Sequence, residues 1–359
     1  MTRPLELRIG VLPGDGIGPE VVPAAELVID AALASRPDVK ITWQRLAIGH
    51  EAISRYGTPM PEETLEVLDE LDAWILGPHD SASYPDRWRT QLTPGGTIRK
   101  RFELFANIRP ARAFPGTAAV SPKMDLIVVR ENTEGFYADR NMYAGAGEFM
   151  PTPDVAMAVG VVTRRACERI AHEAFRLART RRRRVTIAHK ANVLSMTSGL
   201  FLETCLDVAD RYPEVEVDHQ HIDALAALLV RHADAFDVIV AENMFGDILS
   251  DLTGELAGSI GNAPSLNTSE TKAMAQATHG AAPDIAGLGI ANPTAVILSS
   301  AMLLRCLGAR HEHSALGRTA SRIEAAVETV IGQGVCTADL GGTASTAGFI
   351  DAVVAAMGS

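Results

Sequence analysis

The chain has 359 residues, 47% of them hydrophobic and 21% charged, which provides core material for two lobes and a polar surface. Its formal net charge of -11 argues against nucleic acid or an anionic membrane as the main partner, although local arginines can still bind small anionic substrates. Four widely spaced cysteines, the lack of a signal-peptide pattern and the lack of an apolar run of about 18 residues predict a cytoplasmic protein with reduced thiols.

Short apolar strands alternate with amphipathic helices, which predicts an α/β fold with a largely parallel sheet. The run 5–12 is typical of a strand, and Val22, Ala25 and Ile29 recur at helical spacing after it. Residues 142–154, rich in glycine, proline and methionine, are predicted to leave the main sheet. Further strands are predicted at 39–46, 73–76, 125–129, 185–188 and 236–240, with a final helix at 343–357.

A glycine-rich turn separates the first strand from the first helix. Gly14, Gly16 and Gly18 resemble the phosphate-binding turn of a Rossmann domain, but the third glycine comes one residue too early. An acidic residue at the end of the following strand is also missing. A phosphate cradle and a tight structural turn therefore both remain open.

Two aspartates follow the apolar strand at 236–240. Asp247 and Asp251 are four residues apart, so on a helix they share one face. Carboxylates placed together repel each other unless a cation lies between them, and oxygen ligands suit Mg²⁺ or Mn²⁺. The alternative is an acidic helix face that contacts only solvent.

Cationic and phenolic side chains accompany the other buried strands. Arg99, Arg109 and Arg130 lie beside short apolar segments, where three guanidinium groups would suit a di- or tricarboxylate. Three separate structural ion pairs would explain them equally well. Tyr137 and Lys190 also follow strands and are candidates for proton transfer.

Five motifs together are more specific than any one of them. They are GDGIGPE at 14–20, VRENTEG at 129–135, HKAN at 189–192, NMFGDILSD at 243–251 and HGAAPDIAG at 279–287. In these motifs the sequence resembles the β-decarboxylating dehydrogenases, the family of isocitrate, 3-isopropylmalate, homoisocitrate and tartrate/malate dehydrogenases. The resemblance covers nearly the whole chain.

The resemblance implies a fold of two α/β lobes around one continuous mixed sheet, not a Rossmann domain. Residues 1–104 and 258–359 would form the large lobe with the cofactor-binding elements. Residues 105–257 would form the small lobe, with the dimer interface and the metal and substrate residues. The active site would lie in the cleft between the lobes, completed by residues of the second subunit of a homodimer.

The resemblance also assigns roles to individual residues. They are Arg99, Arg109 and Arg130 for the substrate carboxylates, Asp247, Asp251 and Asp223 of the partner subunit for Mg²⁺ or Mn²⁺, Lys190 of the partner subunit for removal of the hydroxyl proton, and Tyr137 for protonation of the enol. The nucleotide would be bound by His279, Gly280, Asp284, Ile285, Asn292 and Asp339. Asp284 would accept hydrogen bonds from the adenosine ribose and repel a 2′-phosphate, which favours NAD as the cofactor.

The implied reaction is NAD-dependent oxidative decarboxylation of a 3-substituted (R)-malate, similar to that of 3-isopropylmalate dehydrogenase. Isocitrate, homoisocitrate, tartrate and D-malate remain alternative substrates, because Gly95 and Gly96 stand where isopropylmalate enzymes have a pair of leucines. A non-catalytic regulatory homologue is a further alternative, although such relatives typically lose one of the assigned residues. The remaining alternative is an α/β protein without this enzyme activity, whose glycine-rich turn binds a mononucleotide.

Overall fold

The computed structural model describes residues 4–89, 91–137, 139 and 141–358. Its strands are β1 (Leu5–Leu12), β2 (Val39–Arg45), β3 (Ala73–Leu76), β4 (Ala106–Arg112), β5 (Asp125–Glu131), β6 (Glu148–Thr152), β7 (Val155–Ala158), β8 (Arg184–His189), β9 (Glu216–His221), β10 (Val238–Ala241), β11 (Leu266–Thr268) and β12 (Ala273–Ala275). Each strand predicted from the sequence is present, and the predicted α/β fold is confirmed.

The α-helices alternate with these strands along much of the chain. They are α1 (Gly18–Leu33), α2 (Gly49–Tyr56), α3 (Glu62–Asp69), α4 (Asp86–Arg89), α5 (Pro94–Arg101), α6 (Arg164–Arg179), α7 (Thr197–Ala209), α8 (Ile222–His232), α9 (Asn243–Leu256), α10 (Thr294–Arg310), α11 (Ser314–Gly332) and α12 (Thr346–Gly358). No helix in the described part of the chain has both the length and the apolar character needed to cross a bilayer. The four cysteines are free thiols.

The chain divides into two compact units. Unit 1 comprises the described residues up to Ile98, the segment Phe114–Ala118 and the described residues from Gly258 onwards, and unit 2 comprises Arg99–Ala113 and Ala119–Ala257. The sequence placed the first boundary after residue 104, whereas the contacts within the chain place it after Ile98.

Unit 1 holds five strands in the order β2-β1-β3-β12-β11. β1 pairs in parallel with β2 and β3, β12 pairs in parallel with β3, and β11 runs antiparallel to β12. α10 is buried along most of its length. α1 and α11 pack against it, and α12 packs against α1 and α11. A helix that is apolar on nearly all sides belongs at the centre of a core, which explains its position.

Unit 2 holds five strands in the order β4-β5-β10-β8-β9. β4 and β5 are antiparallel, whereas β5, β10, β8 and β9 are parallel to their neighbours. The carboxyl ends of these four parallel strands therefore meet at one edge of the sheet. Open α/β sheets bind ligands at that edge.

β6 and β7 form a separate antiparallel hairpin within unit 2. All of their residues are exposed, including Phe149, Met150, Val155 and Met157. The prediction that this part of the chain leaves the main sheet is confirmed. Exposed apolar side chains on an unaccompanied hairpin indicate a contact surface.

The glycine-rich turn of unit 1 is packed against backbone carbonyl groups. A Cβ added at Gly14 would lie 2.1 Å from the carbonyl oxygen of Pro78, and one at Gly16 would lie 1.9 Å from that of Ala281. Both glycines also have positive φ angles, of 74° and 59°. Because carbonyl oxygens repel phosphate, the geometry favours the structural turn over the phosphate cradle.

Asp15, inside the same turn, joins three segments of unit 1. Its carboxylate accepts the backbone N–H groups of His50 at 2.8 Å and Asp80 at 2.9 Å. It also accepts the hydroxyl of Tyr84 at 2.5 Å. A buried carboxylate with three donors is well satisfied, so Asp15 holds the loops that surround the turn.

Candidate active site

Two buried arginines lie on neighbouring strands of unit 2. Arg109 on β4 is 7% exposed and Arg130 on β5 is 2% exposed. Arg109 pairs with Val128, and Arg130 with Asn107, so the two arginines are diagonal neighbours on one face of the sheet. Guanidinium groups so deeply buried require anionic or polar partners.

α9 supplies those partners from the helix that follows β10. Nη1 of Arg109 lies 3.1 Å from Oδ1 of Asp247 and 3.2 Å from Oδ1 of Asp251. It also donates a hydrogen bond of 2.6 Å to the hydroxyl of Ser250. The two aspartates therefore share one face of α9, as their spacing predicted, and that face contacts arginine.

Arg130 is fixed by the first two turns of the same helix. Its Nε donates to Oδ1 of Asn243 at 2.9 Å, and its Nη1 donates to Oδ1 of Asp247. The helix approaches closely because Gly246 has no side chain. A Cβ at that position would lie 2.7 Å from Cβ and Cγ of Arg130.

The charges around Asp247 set the protonation of the cluster. Burial alone would raise the pKa of Asp247, but Arg130 and Arg109 lower it overall, with a smaller effect of Arg99. Burial raises the pKa of Asp251, although Arg109 opposes the shift. Burial also lowers the pKa of Arg109 to about 10, so it remains a cation at neutral pH.

Tyr137 lies against the same cluster. Its hydroxyl donates a hydrogen bond to Oδ2 of Asp247, and Cζ of Arg130 lies 5.0 Å from the centre of its ring. Burial is the main reason that the pKa of Tyr137 is raised. The phenol is therefore protonated at neutral pH and has a proton to donate.

Lys190 and Asp223 form an ion pair elsewhere in unit 2. The Nζ atom of Lys190 lies 2.8 Å from Oδ1 of Asp223. Lys190 follows β8, where its backbone N–H donates to the hydroxyl of Ser198 at 2.7 Å, and Asp223 lies in the first turn of α8. The hydrogen bond from Lys190 lowers the pKa of Asp223.

The carboxylates of one chain do not complete a metal site. Among the residues that the structure describes, no three His, Cys, Asp or Glu side chains come together as a group that could hold a metal ion. Asp223 therefore does not join Asp247 and Asp251 within one chain. The two aspartates of α9 still provide hard oxygen ligands of the kind that Mg²⁺ and Mn²⁺ prefer. A third ligand from a second copy stays a prediction.

The predicted nucleotide residues lie in unit 1, and one of them, Asn292, contacts the carboxylate of another, Asp339. Oδ2 of Asp339 accepts hydrogen bonds of 2.9 Å from both Ser259 and Asn292. Its Oδ1 accepts the hydroxyl of Thr337 at 2.6 Å. Asn292 in turn accepts the backbone N–H of Thr294 at the start of α10. The network therefore fixes Asn292 and Asp339, two of the six predicted nucleotide residues, relative to each other.

His279 and Asp284 lie on the segment that precedes α10. Nδ1 of His279 is 3.0 Å from the carbonyl oxygen of Gly280, which requires a proton on Nδ1. Burial lowers the pKa of His279, and its buried Nε2 has no hydrogen-bond partner among the described residues. The neutral ring therefore presents a vacant acceptor. Asp284 and Ile285 lie in a single 3₁₀ turn nearby in sequence.

Three polar residues of the cluster were missed by the sequence analysis. Asn243 and Ser250 bind the two arginines from α9, and Asn107 accepts a hydrogen bond from Nε of Arg109. Periodicity contains a signal for each of them. Asn107 is two residues before Arg109 on a strand, and Ser250 is three residues after Asp247 on a helix, so each shares a face with a predicted residue.

The chain is similar to known proteins over nearly its whole length. Residues 8–353 match the family model described as isocitrate/isopropylmalate dehydrogenase. The isocitrate/homoisocitrate dehydrogenase of Thermus thermophilus is 43% identical over 98% of this chain and 99% of its own, and the 3-isopropylmalate dehydrogenase of Archaeoglobus fulgidus is 42% identical over 96% and 98%. The crystal structure of isocitrate dehydrogenase from Methylococcus capsulatus matches with a TM-score of 0.88 and 39% identity, covering 98% of this chain and 100% of that one.

Proposed function

The chain belongs to the isocitrate/isopropylmalate dehydrogenase family of decarboxylating hydroxy-acid oxidoreductases, and from that premise we propose that it oxidises and decarboxylates a 3-substituted (R)-malate, with NAD as the oxidant and Mg²⁺ or Mn²⁺ as the metal. The observation that carries the proposal is the cluster on α9. There Asp247 contacts Arg109, Arg130 and Tyr137 at once.

The arginines bind the substrate in this proposal. Arg109 and Arg130 are neutralised by the aspartates of α9, and a substrate carboxylate matches the guanidinium fork better than a single oxygen does. The substrate would replace Asp247 and Asp251 on these arginines and leave both aspartates free to hold Mg²⁺ or Mn²⁺, with Asp223 of the partner subunit as the third ligand. A bound divalent ion supplies Lewis acidity at the substrate hydroxyl and at the enolate.

Two side chains move the protons. Lys190 would accept the hydroxyl proton in the site of a second copy, since within its own chain it is paired with Asp223 and not with α9. Tyr137 would deliver its phenolic proton to the enol carbon that remains after CO₂ has left. Its raised pKa supports that role, because the proton is retained until a stronger base is present.

Unit 1 would bind the nucleotide, which accepts the hydride. Asp339 and Asn292 form the hydrogen-bonded base of this site. Nε2 of His279 is buried without a partner among the described residues, and a shift of the ring would turn this acceptor towards an amino group such as that of adenine. Asp284 would accept the ribose hydroxyls. A carboxylate at that position disfavours a 2′-phosphate by charge repulsion, which supports NAD over NADP.

We also propose that the active form is a homodimer. Exposed apolar side chains occur on α7, α8 and α9 and on the preceding loop of unit 2, in addition to the hairpin β6–β7. They are Val193, Met196, Leu206, Val230, Met244 and Ile248. Contact with a second copy would cover this surface and bring Lys190 and Asp223 to the other subunit.

A second candidate substrate is favoured by the surroundings of Gly95. A Cβ at Gly95 would lie 3.0 Å from Cε1 of His79 and 3.6 Å from Nε2 of Gln276. A leucine side chain would therefore crowd His79. Two of the three nearest side chains are polar, and the third is Leu76, whose Cδ2 lies at 3.7 Å. This favours isocitrate or homoisocitrate, whose substituent bears a carboxylate, over 3-isopropylmalate.

The test is a substrate panel with the purified protein. Isocitrate, homoisocitrate, 3-isopropylmalate, D-malate and tartrate are each incubated with Mn²⁺ and either NAD⁺ or NADP⁺, and the absorbance of the reduced nucleotide is followed. We expect one acid to react with NAD⁺ and the activity to vanish with EDTA. Asp247→Asn should reduce kcat by about a hundredfold or more, because a carboxylate ligand of the proposed metal ion is lost. No activity with any pair would indicate a non-catalytic homologue.

A further inference from the structure

The motif GDGIGPE at 14–20 has no part in the proposed chemistry. It nevertheless contacts, at two points, the segment 279–292 of unit 1, which carries most of the predicted nucleotide residues and is called the nucleotide segment below. The first is at the start of the segment. The backbone N–H of Ile17 donates to the carbonyl oxygen of Ala281 at 2.9 Å. Gly16 allows this approach because it has no side chain.

The second contact is made by Glu20 in the first turn of α1. Its Oε1 accepts the backbone N–H of Gly287, and its Oε2 accepts that of Gly289 at 3.0 Å. Both glycines have positive φ angles, and a Cβ on either would meet nothing within 4 Å. No side-chain packing therefore holds this part of the loop, and the Glu20 carboxylate takes its place.

The far end of the segment is attached to α12. The backbone N–H of Thr346 donates to the carbonyl oxygen of Gly289 at 2.8 Å, and its hydroxyl donates to that of Ala291 at 2.7 Å. Asp284 thus lies between the anchor at Ala281 and the anchors at Gly287 and Gly289. Ala282, Ile285 and Ala286 pack against the core of unit 1 on either side of Asp284. Loss of Glu20 would release the turn at Gly287 and Gly289 that follows them.

We propose that Glu20 is a positioning residue of the nucleotide site. Its two hydrogen bonds fix the loop that carries Asp284 before the nucleotide arrives, and so set the Asp284 carboxylate at the place where the ribose hydroxyls bind. Preorganisation of this kind strengthens binding because the loop loses less conformational freedom on association. The inference rests on the proposed use of NAD.

The experiment measures the dissociation constant of NAD⁺ by isothermal titration calorimetry on the full chain and on Glu20→Ala and Glu20→Gln. We expect Glu20→Ala to weaken NAD⁺ binding by about tenfold, because two charge-assisted hydrogen bonds are lost. The dissociation constant of Glu20→Gln should lie between those of the wild type and Glu20→Ala. The carboxamide keeps one oxygen acceptor for one of the two glycine N–H groups but turns its NH₂ donor towards the other. At saturating NAD⁺, kcat and the KM for the acid should stay near the wild-type values.

Glu26 on the same helix provides a matched control. Its Oε1 accepts a hydrogen bond of 3.0 Å from Arg45, at a distance of six residues from Glu20 along α1. Glu26→Gln should bind NAD⁺ as tightly as the wild type. Hydrogen exchange without nucleotide gives a separate readout. The amides of Gly287 and Gly289 should exchange faster in both Glu20 variants than in the wild type, and Glu26→Gln should show no such increase.

The outcomes separate this inference from the function on which it rests. A wild-type protein that binds no NAD⁺ would overturn the proposed function and the role of Glu20 with it. Normal NAD⁺ binding by the wild type and equally tight binding by folded Glu20 variants would overturn the role of Glu20 alone. Thermal unfolding checks folding, and if Glu20→Ala is unfolded, the comparison of Glu20→Gln with Glu26→Gln decides.

Discussion

Asp247 is the residue at which the charges of the candidate active site converge. Its carboxylate contacts Arg109, Arg130 and Tyr137, while the ion pair of Asp251 is with Arg109. The pKa of Asp247 is lowered and that of Asp251 is raised, so neighbouring carboxylates on one helix differ in their tendency to bind a proton. The residue types and their spacing were predictable from the sequence. The polar partners Asn107 and Ser250 share a face with predicted residues, but spacing alone does not distinguish them from the many other uncharged residues on strands and helices.

Tyr137→Phe removes the proposed proton donor and little else. We expect kcat for the complete reaction to fall by about 100-fold, in the range of lost general-acid groups, with a small change in the KM of the acid. Both constants are measured by steady-state kinetics with the acid that reacts in the substrate panel described above. Tyr143, which is fully exposed, gives the control Tyr143→Phe, and equal activity of the two variants would exclude the role of Tyr137.

Glu242, the residue before α9, predicts a pH-dependent effect on stability. Burial raises its pKa from 4.5 to about 7, with a further contribution from Glu134, opposed by Ser198. Between these values the unfolded chain ionises and the folded chain does not, so folding stability falls as the pH rises from about 4.5 to 7. Glu242→Gln cannot ionise and escapes this loss. The difference in the free energy of unfolding between Glu242→Gln and wild type should therefore grow in favour of the variant by up to about 3 kcal/mol between pH 5 and pH 8.

Urea unfolding at the two pH values measures the effect of Glu242→Gln. The exposed Glu148 on β6 supplies the control Glu148→Gln, which should track the wild type at both pH values. A difference between Glu242→Gln and wild type that is the same at pH 5 and pH 8 would contradict the titration of Glu242.

At the scale of elements, α9 is placed by the absence of a side chain at Gly246. The sequence indicated the helix and its acidic face, and the apolar strands β5, β8 and β10 were equally clear. β9 was not predicted, since its residues Glu216–His221 are mostly polar at the edge of the sheet. β11 and β12 are three residues long, too short for a periodic pattern. Their pairing depends on tertiary contacts.

Gly246→Ala tests the close approach of α9 to β5. The added Cβ would lie 2.7 Å from Arg130, which is buried and cannot move away without losing Asn243 and Asp247. We expect a stability loss of about 1–3 kcal/mol and a raised KM for the acid. Gly317→Ala in α11 has open space around its Cβ and should stabilise the protein slightly. Thermal unfolding and steady-state kinetics on both variants measure this, and a neutral Gly246→Ala would contradict the packing argument.

At the scale of the whole molecule, the described part of the chain has two aspartates on α9, whereas Asp223 is paired with Lys190 and does not join them in a metal-binding group. The sequence predicted the residue types for metal and proton transfer. Only the family resemblance placed Asp223 in the partner subunit, because contacts between subunits leave no periodic signal in the sequence. The family resemblance supplied the homodimer, and the exposed apolar surface of unit 2 supports it.

Ile248→Asp places a charge on that surface at α9. We expect a monomeric protein with little activity, because Lys190 and Asp223 would no longer reach another subunit. Analytical ultracentrifugation and the standard assay measure both effects. Leu27 is similarly exposed on α1 in unit 1, so Leu27→Asp should remain dimeric and active. A monomeric wild type with full activity would exclude the shared site.

The groups proposed for proton transfer and the groups proposed for the nucleotide have no strand or helix in common, since the former lie in unit 2 and the latter in unit 1. Arg109, Arg130 and Tyr137, which contact Asp247, all belong to unit 2, and a substitution at Asp284 changes none of them. Effects of mutations at residues that have no partner in common usually add. A lineage could therefore exchange one nicotinamide cofactor for another without rebuilding its catalytic machinery. In a library that varies residues around both Asp284 and Asp247, gains in cofactor preference and in catalytic rate should multiply with little epistasis.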